Sequence, residues 1–501
     1  MNSRRHTLAG CVAVALAASL APMVVQAEGT ATSNSNELEA VNVSALPLGS
    51  GSPSTPYSVM DQQTLTQKNA ATLGETLNNQ PGVHSDTFGG GASRPVIRGQ
   101  SGPRVGVLND GSAVLDASKI SPDHTVTVDP MLARQIEVLR GPSTLLYGSG
   151  ASGGVVNVLD SRIPTERPRE EVEGFVGARA NTVADANATA AGITFSATDH
   201  LVFRVEGSRR DADDYEVDGF DRLTVPGTFA ESDNSSIGAS WIGDQGFFGM
   251  AYSYRRDNYG LPGHNHEFEE CGVSRGRLDC PDEEHDHEHG EEVTPFVDLA
   301  SRRVDARGEY RNPMDGITAI RFRGNHTEYR HHEIEEGEIG TTFRNRGGDA
   351  RLEVEHAPIG NWRGVVGMQY TDFDFSSMGG EAFVPKTESR SMALFAVEEY
   401  RLNDQWRFEL GARQEHQRLR PEDRPGEALP DLKQDSTSLS AAANWAFVPG
   451  YELVLSLGHS ERAPSAQELY AEGVHLATNT YECGLFSACG GGQRDLDDEI
   501  S

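Results

Sequence analysis

Ile136-Glu137-Val138-Leu139-Arg140-Gly141-Pro142-Ser143-Thr144-Leu145-Leu146-Tyr147-Gly148, continuing through Gly153-Gly154 to Val155-Val156-Asn157-Val158, holds two short apolar runs separated by glycine-rich sequence. Runs of this length bounded by turn residues read as strands. The glycine run Gly148–Gly154 invites a phosphate-cradle reading, but it leads into a strand where a phosphate loop needs a helix. Upstream, Pro95-Val96-Ile97-Arg98-Gly99 and Arg104-Val105-Gly106-Val107-Leu108 are further strand-like runs, closed by glycine or by the Asn109-Asp110-Gly111 turn. Thr72-Leu73-Gly74-Glu75-Thr76-Leu77 predicts a short helix stopped by Pro81-Gly82. Residues 59–165 are therefore expected to form a compact α/β domain.

After about residue 166 the texture changes to amphipathic segments with period-two alternation, such as 200–209, 246–255, 317–329, 362–373, 406–417 and 451–459. Their length suits strands that span a bilayer, which takes roughly 10 tilted residues, with apolar side chains facing lipid and polar ones facing the lumen. About 13 such candidates lie between residues 171 and 463. A soluble β-sandwich is the competing reading of this alternation.

Of the 501 residues, 75 are acidic and 43 basic, a net charge of −32 that makes nucleic acid an unsuitable partner. The one long apolar stretch, Leu8–Ala27, follows Arg4 and Arg5 and ends in Val25-Gln26-Ala27, so residues 1–27 read as a signal peptide cut before Glu28. Residues 28–58 are too polar for a core and read as a flexible extension, interrupted by the alternating island 38–45. Export leaves four cysteines as two local pairs, Cys271 with Cys280 and Cys483 with Cys489. These read as loop-closing disulfides, with zinc ligation as the rival.

The residues from Arg98-Gly99-Gln100 through Asn109-Asp110-Gly111 to the opening stretch resemble the plug domain of TonB-dependent outer-membrane receptors. The resemblance implies a 22-stranded antiparallel β-barrel with the α/β plug in its lumen. It also implies a TonB box, here Leu38-Glu39-Ala40-Val41-Asn42-Val43-Ser44-Ala45, engaged by the inner-membrane TonB–ExbB–ExbD complex. Within the family, Ser121-Pro122-Asp123-His124 and Arg462-Ala463-Pro464-Ser465-Ala466-Gln467-Glu468-Leu469-Tyr470, running on to His475, resemble the zinc-receptor (ZnuD-like) subgroup. Residues 166–501 hold too few strands for 22, so this reading expects a partial barrel in a C-terminally truncated chain. It further implies an outer-membrane monomer that takes up Zn²⁺ as transported ligand.

Histidine placement points the same way. Eight of the 16 histidines fall within residues 264–332, where an even spread would place about two. Between His264 and Glu292 stand His264, His266, His285, His287 and His289 among 11 acidic residues, on what reads as an extracellular loop. Imidazole with carboxylate is suitable ligand chemistry for Zn²⁺. A mobile run of this kind collects ions without fixing geometry, whereas a solvated acidic loop with incidental histidines is the plainer reading. A tight site needs ligands on rigid elements. By resemblance, Asp123 and His124 coordinate with a barrel histidine, matched by His475, and a glutamate for which Glu333 is chosen over Glu335 and Glu336. Haem uptake, with His475 as axial ligand, and uptake of copper, nickel or a siderophore are the alternatives, followed by a surface metal-binding or adhesion module. No nucleophile–base pair or His-Glu-x-x-His helix supports an enzyme.

Overall fold

The valine-rich run 155–158 packs as the centre of a small sheet. In the computed structural model, β1 (Tyr57–Asp61), β4 (Val105–Asn109), β5 (Ser112–Ala113), β6 (Gln135–Leu139) and β7 (Gly154–Leu159) form one sheet in the order β1-β6-β7-β4-β5. Helices α1 (Gln62–Lys68) and α2 (Leu73–Leu77) and the hairpin of β2 (Val83–Phe88) with β3 (Ala92–Ile97) accompany it. The structure describes residue 48 and residues 57–500, apart from 69, 149, 219–223, 264–271, 275–276, 280–293, 381 and 490–498. Every residue of β7 is buried, and Val156 and Val158 join Leu73, Leu77, Val83, Ile97, Ile136 and Val138 in one core. Gly141, at φ 82°, turns the chain out of β6 into the short 3₁₀ helix Pro142–Tyr147, a conformation that suits glycine.

The second half is an antiparallel meander. It comprises β8 (Val172–Asn181), β9 (Ala186–Ser196), β10 (Leu201–Ala212), β11 (Ala230–Gly243), β12 (Gly246–Gly260), β15 (Phe296–Met314), β16 (Ile317–Glu335), β17 (Glu338–Ile359), β18 (Trp362–Gly379), β19 (Thr387–Arg401), β20 (Trp406–Pro421), β21 (Leu432–Val448) and β22 (Tyr451–Arg462). These are the 13 expected strands. The small hairpin β13 (Gly272–Ser274) with β14 (Arg277–Asp279) lies between β12 and β15. After β22 come α3 (Ala466–Tyr470), the hairpin β23 (Glu472–His475) with β24 (Thr480–Cys483), and β25 (Glu499–Ile500), which pairs with β22. The resulting 14-stranded sheet ends at β8 and β25 and is not closed among the described residues.

Burial along the strands is inverted relative to a soluble sandwich. Ile237, Leu352, Leu394, Leu455 and Leu457 are exposed, while Arg204, Glu206, Arg351, Glu353, Arg413 and Glu415 are buried. A polar interior behind an apolar outer band is the outer-membrane barrel arrangement, so the sandwich reading fails. Two-residue spacing places arginine and acid on one face, giving lumenal ion pairs Arg204–Glu206 at 2.7 Å, Arg303–Asp305 at 2.8 Å, Arg351–Glu353 at 2.7 Å and Arg413–Glu415 at 2.8 Å. The same arginines grip the α/β domain. Arg303 donates to the Ala113 carbonyl at 2.8 Å, and Arg351 and Arg413 donate to that of Leu146. The wall comes so close that a Cβ on Gly238 would stand 1.8 Å from the Arg162 carbonyl oxygen. At the end with mostly short turns, Trp406 stacks on Trp445 at 5.3 Å and Trp362 packs on Tyr400 at 4.8 Å, an interfacial aromatic rim. Among the described residues no helix is long and apolar enough to cross a membrane.

Candidate metal centre

The loop between β5 and β6 is closed on itself by one carboxylate. Asp116 accepts from the backbone of Ser118 at 3.0 Å and of Thr127 at 2.9 Å, so the loop tip carrying Ser121–Thr125 projects as a unit. Asn345 of the barrel donates to the Asp116 carbonyl at 3.0 Å and fixes that unit to the wall. Tyr259, from β12, donates its hydroxyl to the Asp123 carbonyl at 3.0 Å and accepts from the Thr125 N–H at 3.1 Å. Asp123 and His124 are thus held at both ends, with 1% and 0% of their surface exposed.

Three elements meet them. On β16, His331 and Glu333 share the inward face by two-residue spacing, and an irregularity in the β16–β17 register follows directly after Glu333. Glu333 Oε1 lies 3.4 Å from His124 Nε2 and 3.6 Å from His331 Nε2. One ligand atom from each of His124, His331 and Glu333 falls within a span of 4.8 Å. His124 Nε2 is also 3.4 Å from Asp123 Oδ2, and Asp123 Oδ1 is 3.6 Å from His475 Nε2. His475 ends β23 in a segment organised by the Ser465–Glu468 capping box of α3 and by the Cys483–Cys489 disulfide. Gln467 of this segment donates to the Ile120 carbonyl of the plug loop at 3.2 Å. Glu482 stands at its rim, 3.9 Å from His475 Nδ1.

Secondary contacts set the imidazoles for coordination. His124 Nδ1 is 3.1 Å from the Ala117 carbonyl, which can only accept, so Nδ1 carries a proton and Nε2 is the nitrogen that faces the centre, where it can ligate once deprotonated. His331 Nδ1 is 2.7 Å from the Tyr329 hydroxyl, and its ring stacks on Phe343 at 4.5 Å. His475 Nδ1 is 2.9 Å from the Thr478 hydroxyl. Burial disfavours the charged forms of both plug residues. Even so, Asp123 and Glu333 raise the His124 pKa above its ordinary value, and His124 and His475 hold Asp123 below the usual carboxylate range. Asp123 Oδ2, Glu333 Oε2 and His331 Nε2 are buried with no hydrogen-bond partner among the described residues. Orphaned polar atoms converging from the plug loop and β16 are costly unless something fills them, and three imidazoles with two carboxylates fit a divalent transition-metal ion.

Comparison with known proteins assigns the frame around this centre. Residues 52–155 match the family described as TonB-dependent Receptor Plug Domain, and residues 197–501 match that described as TonB dependent receptor-like, beta-barrel. The chain belongs to the TonB-dependent receptors. That family is one of outer-membrane receptors and not of enzymes. This receptor is 31% identical over 160 residues to the ferrioxamine receptor of Yersinia enterocolitica, covering 31% of this chain and 21% of that one. It is 26% identical over 255 residues to the vitamin B12 transporter BtuB of Photobacterium profundum, covering 49% and 41% respectively. Among solved structures, the copper transporter OprC superposes with a TM-score of 0.67 at 16% identity, over 83% of this chain and 64% of that one. The receptor thus spans less than half the length of these two curated relatives and just under two thirds of that structure.

The four residues expected for the rigid site, Asp123, His124, Glu333 and His475, come together in this receptor. Glu335 and Glu336 instead stand at the β16–β17 turn, Glu336 at φ 49°, outside the cluster. His264, His266, His285, His287 and His289, the box Leu38–Val43, and Cys271 and Cys280 lie outside the described residues. His331 is the member that sequence reading passed over. Period-two alternation in His331-His332-Glu333 identifies it once Glu333 is placed inward, and the same alternation turns His332 away.

Proposed function

We propose that this receptor imports a bare divalent transition-metal ion, zinc first, across the bacterial outer membrane. The observation that carries the reading is the set of converging orphaned ligand atoms of Asp123, His331 and Glu333, completed by His124 and His475. In this reading the acidic, histidine-rich loop gathers cations and raises their local concentration, and the buried site holds one ion with Asp123 and His124 as the plug's ligands. Coupling to the TonB–ExbB–ExbD complex through Leu38–Val43 moves the plug. Two ligands then part from Glu333, His331 and His475, and the ion leaves towards the periplasm without chemistry at the metal. Relatives bear names of siderophore, haem and B12 receptors. A porphyrin, however, is much wider than the 4.8 Å span of the His124, His331 and Glu333 ligand atoms, so haem suits this geometry poorly. Copper remains the nearest competitor, since the same donors bind Cu²⁺ more strongly than Zn²⁺.

The test is uptake into cells lacking their own zinc receptor, with Asp123→Ala/His124→Ala beside the native residues and zinc, copper and haemin supplied in parallel. Zinc uptake lost in the double variant supports the reading. Unchanged zinc uptake, or haemin uptake that depends on His475 alone, overturns it.

A further inference from the structure

Below the metal centre the inner wall changes from ligands to hydroxyls. The strand registers lay His331, Leu299 and Asp257 in one inward row. The next inward row runs from Tyr329 through Ser301 to Asn234 and Ser208, and the row beneath it from Thr327 through Ser253 and Ser236 to Glu206. At about 3.3 Å per residue these lower rows stand roughly 7 and 13 Å from His331 along β16, towards the short-turn end. Between them and the plug is a polar cavity of about 80 Å³, whose plug side carries Asn109, Asp129 and Asp160. That volume holds an ion with part of its hydration shell.

One atom of this cavity is unmatched. Asn109 is 8% exposed; its amide nitrogen donates to Asp160 at 3.2 Å, and its Oδ1 has no hydrogen-bond partner among the described residues. A buried acceptor left open marks a place for a donor or a cation. The charges around it leave one acid over. Asp160 and Glu206 take Arg162 at 2.9 Å and Arg204 at 2.7 Å, while Arg255 and Arg303 take Asp257 at 2.6 Å and Asp305 at 2.8 Å. Asp129 makes no ion pair among the described residues; Asn234 at 2.9 Å, the Met131 N–H at 2.8 Å and the Ser208 hydroxyl donate to it instead. A smaller cavity of about 20 Å³ shares Asp129 and Arg255 with the first and rises to Thr125 and Tyr259, the pair that braces Asp123. Arg179 and Arg210 line this smaller cavity but not the larger one, and donate to the plug carbonyls of Ala70 and Gly90. Their charge turns a cation away from the far wall and towards Asp129.

Building on the import reading above, we infer that the larger cavity is a transit station for the departing divalent cation, which Asp129, Asp160 and Asn109 Oδ1 of the plug hold with Glu206 of the wall. Its donors are all oxygen, whereas three imidazoles serve the upper centre. Oxygen donors with arginines beside them hold Zn²⁺ less tightly than imidazoles do, so the ion passes from firm capture to a weaker hold. The serine and threonine hydroxyls of the two rows stand in for lost hydration. Asp129 follows Asp123 by six residues on one plug loop. A pull that draws this loop towards the periplasm lowers Asp123 and His124 past Tyr329 and delivers their ion to the station.

Two measurements on the full chain test this. Crystals are soaked in manganese chloride, because Mn²⁺ favours carboxylate and carbonyl oxygen, and diffraction is recorded at the manganese edge. An anomalous peak is expected in the cavity, with its loss in Asp129→Asn and in Asn109→Ala; heat-modifiable gel mobility verifies that each variant is folded, and either one suffices. In cells, zinc uptake at saturating zinc should fall about tenfold in Asp129→Asn. The purified variant should keep its native Zn²⁺ affinity, because Asp123, His124, His331, Glu333 and His475 are untouched. Asp233→Asn, which removes an outward acid paired with Arg209, should change neither. A native cavity without manganese, a peak that persists in the folded variants, or undiminished zinc uptake in Asp129→Asn overturns the inference. Failure of the import reading looks different: the native receptor takes up no zinc, while the manganese peak still reports on the cavity.

Discussion

Replacing Tyr329 with phenylalanine isolates the role of His331. The Tyr329 hydroxyl, 2.7 Å from His331 Nδ1, holds the ring in the orientation that leaves Nε2 facing Glu333 and His124. Loss of a group that orients a ligating imidazole typically weakens metal affinity 10–100-fold, about 1.4–2.7 kcal/mol. His331 stands beside four other candidate donors and stays stacked on Phe343, which places the expected loss near the lower end, about tenfold. Phenylalanine fills the same space, so the cost to folding is one neutral hydrogen bond, about 1 kcal/mol. Competition for Zn²⁺ against a fluorescent chelator reads the change. Tyr310→Phe is the control, because it removes a hydrogen bond of 2.9 Å to Gln245 at the far end of the barrel. Zinc affinity unchanged in Tyr329→Phe, or reduced equally in Tyr310→Phe, would refute the assignment of His331 as a ligand.

Zinc affinity should fall as the solution is acidified, because bound metal must displace the proton that Asp123 and Glu333 hold on His124. With that pKa raised, affinity should keep climbing above the ordinary imidazole value of about 6.5 before levelling off; a profile flat from pH 5.5 to 8.5 contradicts this. Arg351→Ala should destabilise the plug–barrel assembly by about 1–3 kcal/mol, since it strips the 2.7 Å partner from buried Glu353, which keeps Arg323 at 3.2 Å, and one of two donors from the Leu146 carbonyl. Faster limited proteolysis of the plug is the readout. Cys483→Ser/Cys489→Ser should cost about 2 kcal/mol of order in the segment carrying His475, lowering zinc affinity while the barrel melting temperature stays put; a chelator titration beside a thermal scan separates the two.

The sequence disclosed the barrel at one end of its strands better than at the other. Segments 246–255, 317–329, 362–373 and 406–417 start at or close to the observed strands β12, β16, β18 and β20, yet each stops four to six residues early. The overlooked ends, such as Arg330–Glu335 and Arg418–Pro421, rise above the lipid, where both faces are polar and period-two contrast disappears. In the site, Asp123 and His124 were legible only through resemblance, because a dipeptide in a turn has no periodicity to reveal its aim. Glu335 shares the strand parity of Glu333, so alternation could not separate the two; the register irregularity after Glu333 and the turn at Glu336-Gly337 that set the rivals apart are visible only in the fold. Tyr259 was not visible as a support, because only the packing of β12 against the plug loop brings it to the Asp123 carbonyl.

Zinc-edge X-ray absorption on the receptor loaded with one equivalent of zinc tests the central claim most directly. The expected spectrum has a first shell of nitrogen and oxygen only, near 2.0–2.1 Å, with outer-shell scattering from three imidazoles, and loses it in Asp123→Ala/His124→Ala. A sulfur shell, a six-oxygen aqueous shell, or a spectrum indifferent to the double substitution would contradict it.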